Sequence, residues 1–362
     1  MNPPSRQVAG PPAWYINVIL AAIVIAGLWW ARAFLVPIVV ALMLFVLLNS
    51  MINRIAGFRV AGRAMPRGVA AAIGIAIIAF VLFVFTTILS QQVNAVVEAM
   101  PRYLQRMDDL VRDLGSFAGE DLSADFAAAF REINLAERLP RILGSAGAML
   151  TGISLVVLYL AFMFTERPVF WSKLGRVLDA GPEHQAHHVI RAINESIERY
   201  FWVKLVVSSM TGLAAYAVMK PLGLDFAETW ALLAFILNFI PNIGSVIATI
   251  APTLVALVQF DTLGPFLIVG LGVTAIELFI GNVVEPALMG RSLNLSPLVI
   301  ILSLTFWGAL WGVVGMFLSV PIMVTVLIVA SQVPAWRWVA VVLSNDGDIP
   351  SIKAPGSSVT QA

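Results

Sequence analysis

Two stretches in the C-terminal half of the chain place side chains with chemistry to offer inside otherwise apolar sequence. The first, NFIPNIGSVIATIAP, carries Asn238, Pro241, Asn242, Gly244 and Pro252. Proline removes a backbone donor and glycine reaches conformations closed to other residues, so Pro241 and Gly244 predict a break in a helix, and Pro252 a second bend. Asn238 and Asn242 flank that break and offer amides to a hydroxylated solute, a bound water or the freed carbonyls. The pattern leaves two readings open: a tight turn between spans, or an interruption that lines a path for a solute. The second stretch, IELFIGNVVEPALMGR, adds Glu277, Asn282 and Glu285. Glu277 lies well inside an apolar run, where an ionised carboxylate costs about 2.5–3.5 kcal/mol on insertion scales, so a functional role is the default reading. Protonation removes much of that cost. Glu285 stands nearer a helix end, either solvated or paired with Arg291.

Bond-making chemistry finds no constellation here. The sequence has no GxSxG elbow, P-loop or HExxH, and no cysteine to act as nucleophile or thiolate ligand. His184, His187 and His188 are spaced so that two could share a helix face, but no carboxylate motif accompanies them; solvated helix-start residues are expected, and no metal or cofactor. The chain reads as a non-enzyme. Net charge is +1 and the basic residues are dispersed, so nucleic acid is not an expected partner. Gly308, Gly312 and Gly315 in WGALWGVVGMFLSVP have the spacing that lets helices approach closely, and helix packing is their expected role. Trp29, Trp30, Trp336 and Trp338 read as interfacial anchors, and Asp225 and Glu228 as a solvated face or a pathway entrance.

The elements that must position these residues follow from composition. With 60% hydrophobic and 12% charged residues and a mean hydropathy of +0.91, this is a membrane protein, its first partner the lipid bilayer. Apolar runs of spanning length fall at 14–31, 33–50, 68–90, 147–165, 203–221, 227–258, 264–284 and 297–331. The fold class is an all-α polytopic membrane protein of about eight transmembrane helices, some broken or re-entrant. Two runs, 227–258 and 297–331, are too long for straight spans and read as tilted helices, re-entrant hairpins or paired tight spans. Arg54, Arg59, Arg63 and Arg67 after the second span, and Arg167, Lys173 and Arg176 after the fourth, place those loops and both termini in the cytoplasm.

Seven regions result: a cytoplasmic N-terminus (1–13), transmembrane helices 1–3 (14–90), an extracytoplasmic helical hairpin (91–146), transmembrane helix 4 (147–165), a cytoplasmic amphipathic linker helix (166–202), a C-terminal transmembrane unit (203–333) and a largely disordered cytoplasmic tail (334–362). The hairpin carries six arginines against nine acids, which suits the outer face. Its apolar stripe from Val93 to Leu114 packs either on its own second limb or on neighbouring protomers.

The stretch ALLAFILNFIPNIGSVIATIAPTLVAL, followed by GNVVEPALMGRSLNLSPLVIILSLTFWGALWGVVGMFLSVPI, resembles the AI-2E family, the autoinducer-2 exporter-like membrane proteins, and most closely its autoinducer-2 exporter branch. The likeness extends to SIERYFWVKL and covers nearly the whole chain. The family's PNxG break corresponds to Pro241, Asn242 and Gly244, its second proline to Pro252, and its GNxxEP segment to Gly281, Asn282, Glu285 and Pro286. Glu277 departs from the pattern, where a neutral polar residue is usual. The resemblance implies a homo-oligomer in the bacterial inner membrane, five protomers being one arrangement, that exports a small polar solute such as autoinducer-2 by facilitated or gradient-driven transport. Two alternatives stand beside it: a sodium/proton antiporter using Glu277 and Glu285, and an oligomeric scaffold without transport.

Overall fold

The computed structural model describes residues 13–57, 59–60, 63–77, 146–178, 183–290 and 294–348, with single helical positions between 80 and 112. The expected outer hairpin beyond residue 112, the last part of the third span, Arg291, the side chains of the three histidines and the end of the tail lie outside the described residues.

The architecture is all-α. Helix α1 (Ala13–Trp30) meets α2 (Arg32–Gly57), a two-residue antiparallel bridge joins Arg59–Val60 to Arg63–Ala64, and α3 (Arg67–Ile77) begins the third run. Helix α4 (Ala146–Leu178) packs on α2, and α5 (Glu183–Met219) carries the linker segment straight into the membrane without interruption. Such long helices are expected where an amphipathic half follows an apolar one with no breaker between them. Tryptophans 29, 30, 336 and 338 all stand exposed, as anchors should.

The run 227–258 resolves into a helical hairpin: α6 (Ala227–Leu237), a turn at 238–242, and α7 (Ile243–Gln259). At 1.5 Å per residue α6 is roughly 16 Å long, about half a bilayer core and too short to cross it alone. Small residues Ala234, Ala248 and Ala256 lie buried in its cluster, which lets the two arms close together. Helix α8 (Leu263–Phe279) then continues through a π-turn (Ile280–Val284) into α9 (Glu285–Met289). Together these 27 residues are long and apolar enough to cross the membrane.

The run 297–331 is a second hairpin. Its helical stretch α10 (Pro297–Gln332) folds back at Gly312, whose φ of 65° and ψ of −147° belong to a region essentially reserved for glycine. The fold-back is tight: a Cβ on Gly315 would stand 2.0 Å from the carbonyl oxygen of Trp307, and one on Gly308 would stand 2.8 Å from Met316. Gly308 and Gly315 therefore serve close packing within one hairpin rather than between separate helices, while Gly312 supplies the backbone conformation of the turn. In the chain α8 with α9 separates the two hairpins, and a helix long and apolar enough to cross a membrane precedes each. Broken helices of this kind recur in secondary transporters, close to the solute site.

The tail begins later than the sequence suggests. Pro334–Trp336 form a 3₁₀ turn and α11 (Arg337–Leu343) packs on α10. Ser344 bridges Leu295, and Asn294 donates to Asp346 and to the carbonyl of Asp348, so this segment clasps the loop leading into the second hairpin.

Tyr103 donates to Asp225 at 2.8 Å and Arg106 pairs with Asp261 at 3.1 Å. These contacts tie Tyr103 and Arg106 to the two loops flanking the first hairpin. Asp225 is thus engaged, and Glu228 is engaged by Lys220 and Tyr216. Burial first, then the Asp225 carboxylate, pushes the Tyr103 phenol well above its ordinary value. The contact is accordingly complete below the unfolded tyrosine value of about 10 and is lost as pH climbs through the raised folded one. Substituting Tyr103→Phe leaves the Arg106–Asp261 pair in place and should loosen this segment, read as faster amide hydrogen exchange around 99–112 with little change elsewhere.

Candidate functional site

Helix α5 presents a polar stripe to the interior. Tyr200, Lys204, Ser208 and Thr211 recur at steps of four, four and three and are all buried. An interior ammonium requires partners, and Lys204 has them: its Nζ stands 2.5 Å from Glu285 Oε1 and donates to the backbone carbonyl of Asn238 at 3.2 Å. That carbonyl is free because α6 ends at Leu237. The Asn238 side chain in turn donates to Ser208 at 3.0 Å, so both ends of the residue fasten the hairpin turn to α5.

The π-turn brings the second carboxylate in. Glu277 and Glu285 are eight residues apart, which in an unbroken α-helix would set them roughly 80° from one another. The extra residue of a π-turn cuts that to roughly 20°, so both face α5. The Glu285 amide bonds to the carbonyl of Ile280, the five-residue step that defines the turn. Glu277 is 8% exposed, and one of its carboxylate oxygens has no hydrogen-bond partner. Its electrostatic neighbours are Ser245 on α7, Lys204 on α5 and Glu285 on α9.

The hairpin turn is compressed against itself. Gly244 packs on the end of α6 so closely that a Cβ there would lie 1.7 Å from the Leu237 carbonyl oxygen. Asn242, with φ of 61° and ψ of −52°, is the centre of a tight γ-turn closed by the Ile243 amide donating to the Pro241 carbonyl at 2.7 Å, a rare and strained conformation. Phe239 at this turn stacks on Phe317, 5.1 Å between ring centres, and Phe317 lies 6.0 Å from Phe201 of α5. Phe317 is five residues past Gly312, so the tips of the two hairpins meet beside α5, next to the ionic cluster.

Asn238, Glu277 and Glu285 are thus gathered into one buried network. Asn238 is committed to Ser208 rather than turned to open space, and Glu285 pairs with Lys204. Pro252 is buried midway along α7, and Pro241 and Asn242 sit at the tip, Asn242 exposed. Asn282 is exposed and bonds back to the carbonyl of Leu278 at 2.9 Å, so it stands apart from the cluster. Among the described residues no group of three metal-ligating side chains converges.

Sequence reasoning missed Lys204. A span beginning at residue 203 makes it an interfacial lysine, because the amphipathic and apolar halves of α5 join without a marker. The signal that could have exposed it is the step-of-four recurrence of Tyr200, Lys204 and Ser208, continuing into an apolar run.

A second polar feature runs along α5 and α6. Buried side-chain atoms of Tyr200, Thr211, Thr229 and Trp230 have no hydrogen-bond partner. Thr211 and Trp230 flank the closest approach of these helices, where a Cβ on Gly212 would meet the Ala231 carbonyl oxygen at 2.8 Å. Unpaired buried hydroxyls and an indole N–H are costly, about 1–3 kcal/mol each, unless something polar meets them.

Comparison with known proteins gives a consistent result. The model of the AI-2E family transporter matches residues 18–335. The chain is 35% identical to the AI-2 transport protein TqsA of Escherichia coli over 90% of its own length and 94% of that protein's. It is 29% identical to a Haemophilus influenzae protein named "Putative transport protein", over 93% and 97% of the two chains. YhhT of Escherichia coli, another so named, is 27% identical over 83% and 85%.

Proposed function

Because the chain belongs to the AI-2E transporter family, we propose that it exports a small, hydroxyl-rich, uncharged solute, with autoinducer-2 as the candidate, along the seam between α5 and the first hairpin. The spans and the bacterial transporter relatives point to a multi-pass inner-membrane protein, and kinship supports transport as its activity. Cytoplasmic termini and assembly into a homo-oligomer, five protomers being the arrangement the resemblance implies, belong to the same proposal.

The observation that carries the solute class is the set of unpaired neutral groups at Tyr200, Thr211, Thr229 and Trp230. Three hydroxyls and an indole N–H offer donors and acceptors without net charge, which suits a polyhydroxyl ring better than an ion. Pro241, Gly244 and Asn242 form the hinge above which the seam opens, and Phe239 against Phe317 closes the space between the hairpin tips. Asn242 and Asn282, both exposed, fit contacts outside the seam.

Inside-out vesicles containing the protein should accumulate autoinducer-2 faster than empty ones. Thr211→Val keeps the side chain's shape but removes one hydroxyl and should raise the half-saturating concentration about tenfold, the value of one lost polar contact to a buried site. Accumulation equal to that of empty vesicles would end the reading. Sodium/proton antiport is favoured by one observation, the buried Glu277, but the Lys204 ammonium beside it works against a second bound cation.

A further inference from the structure

We propose that Glu277 carries a single proton through the transport cycle, exchanging for it the partnership of Lys204, so that solute movement is driven by the proton gradient. The inference deepens the transport reading above and rests on it only for what is carried.

The charges in the cluster do not cancel. Lys204 is one cation among two carboxylates, and it is held by Glu285 at 2.5 Å and by the Asn238 carbonyl at 3.2 Å. That leaves Glu277, buried at 8% exposure, with an oxygen that nothing bonds. An isolated carboxylate in such a place is strongly disfavoured, so the resting site needs one further positive charge. The groups facing it are Ser245 from α7, Lys204 from α5 and Glu285 from α9. A metal cation would want several oxygen ligands and would be repelled by the neighbouring ammonium; a proton needs neither. Protonated, Glu277 is a neutral acid with an O–H to donate.

A second, independent feature lies on the other side of the ion pair. The hydroxyl of Tyr200 is buried with no hydrogen-bond partner, and Glu285 is its charged neighbour. When Glu277 releases its proton to water, its new carboxylate competes for the Lys204 ammonium, and Tyr200 is placed to donate to the Glu285 carboxylate that is given up. No covalent bond changes except the O–H of Glu277, broken on one side of the membrane and re-formed from the other. Because Lys204 also holds the Asn238 carbonyl, a shift of the ammonium pulls on the hairpin turn. Proton occupancy and the position of the hairpin are thereby linked through one side chain.

The test uses the purified full chain in lipid vesicles. Infrared difference spectra across a pH titration should show a protonated-carboxyl C=O band that fades as pH rises, is absent in Glu277→Gln and is displaced in Glu277→Asp. An imposed pH gradient should accelerate autoinducer-2 flux several-fold in the wild type and leave Glu277→Gln unresponsive. The Asp variant and the wild-type titration keep the idea testable if the Gln variant fails to assemble. A wild type with no titrating band, a band that survives in Glu277→Gln, or flux that follows a sodium gradient and ignores protons would each overturn it. A band that behaves as expected while the wild type moves no autoinducer-2 would retain Glu277 as the proton carrier and discard that solute.

Discussion

Lys204→Met should lower the stability of the folded protein by about 3–5 kcal/mol and abolish transport, because it strands the Glu285 carboxylate in the interior without its partner. Lys204 is 5% exposed and Glu285 22%, so neither can turn to water without moving the hairpin or the π-turn. The second variant makes the argument specific. Adding Glu285→Gln to Lys204→Met leaves no unpaired charge from that ion pair, and much of the lost stability should return while transport does not. Melting temperature in detergent reads the first quantity and vesicle accumulation the second. A surface pair supplies the contrast: Lys220 and Glu228 also stand 2.5 Å apart but are 55% and 35% exposed, and breaking that pair should cost no more than about 1 kcal/mol. If Lys204→Met melts where the wild type does, the buried cluster is not what fastens the first hairpin to α5.

The parts of this fold that were legible in the sequence are those with local causes. Pro241 and Gly244 announce a break because their backbone chemistry does so wherever they stand, and the excess length of 227–258 and 297–331 follows from bilayer thickness. Whether an over-long run tilts or folds back depends on contacts the sequence does not list, such as Gly315 against the carbonyl of Trp307. Glu277 was legible as a buried acid. Its alignment with Glu285 was not, since a π-turn has no residue signature and the usual helical period places the two on different faces. Lys204 stayed hidden for a related reason: nothing in α5 marks where the cytoplasmic half ends, so an interior lysine looks like one at the edge. The pairing of Tyr103 with Asp225 spans 122 positions and has no local trace at all.

A pair of single-methyl changes separates the hinge from its surroundings. Gly244→Ala puts a carbon 1.7 Å from the Leu237 oxygen, a backbone atom that cannot swing aside as a side chain can. The turn must open, with an overpacking cost of about 1–3 kcal/mol, and it takes with it the Asn238 carbonyl that holds Lys204 and the Phe239 ring that meets the second hairpin. Gly281→Ala adds the same methyl in the GNVVEP stretch, where nothing lies within 4 Å. Its effect should stay within about 1 kcal/mol, the span of helix propensity between the two residues. Both proteins should reach the membrane in comparable amounts, but Gly244→Ala should reduce autoinducer-2 flux to the level of empty vesicles while Gly281→Ala keeps most of it. Equal flux in the two would mean that the compressed turn is an ordinary connection, and that whatever gates the seam lies at the other tip, where Gly312 holds a conformation essentially reserved for glycine.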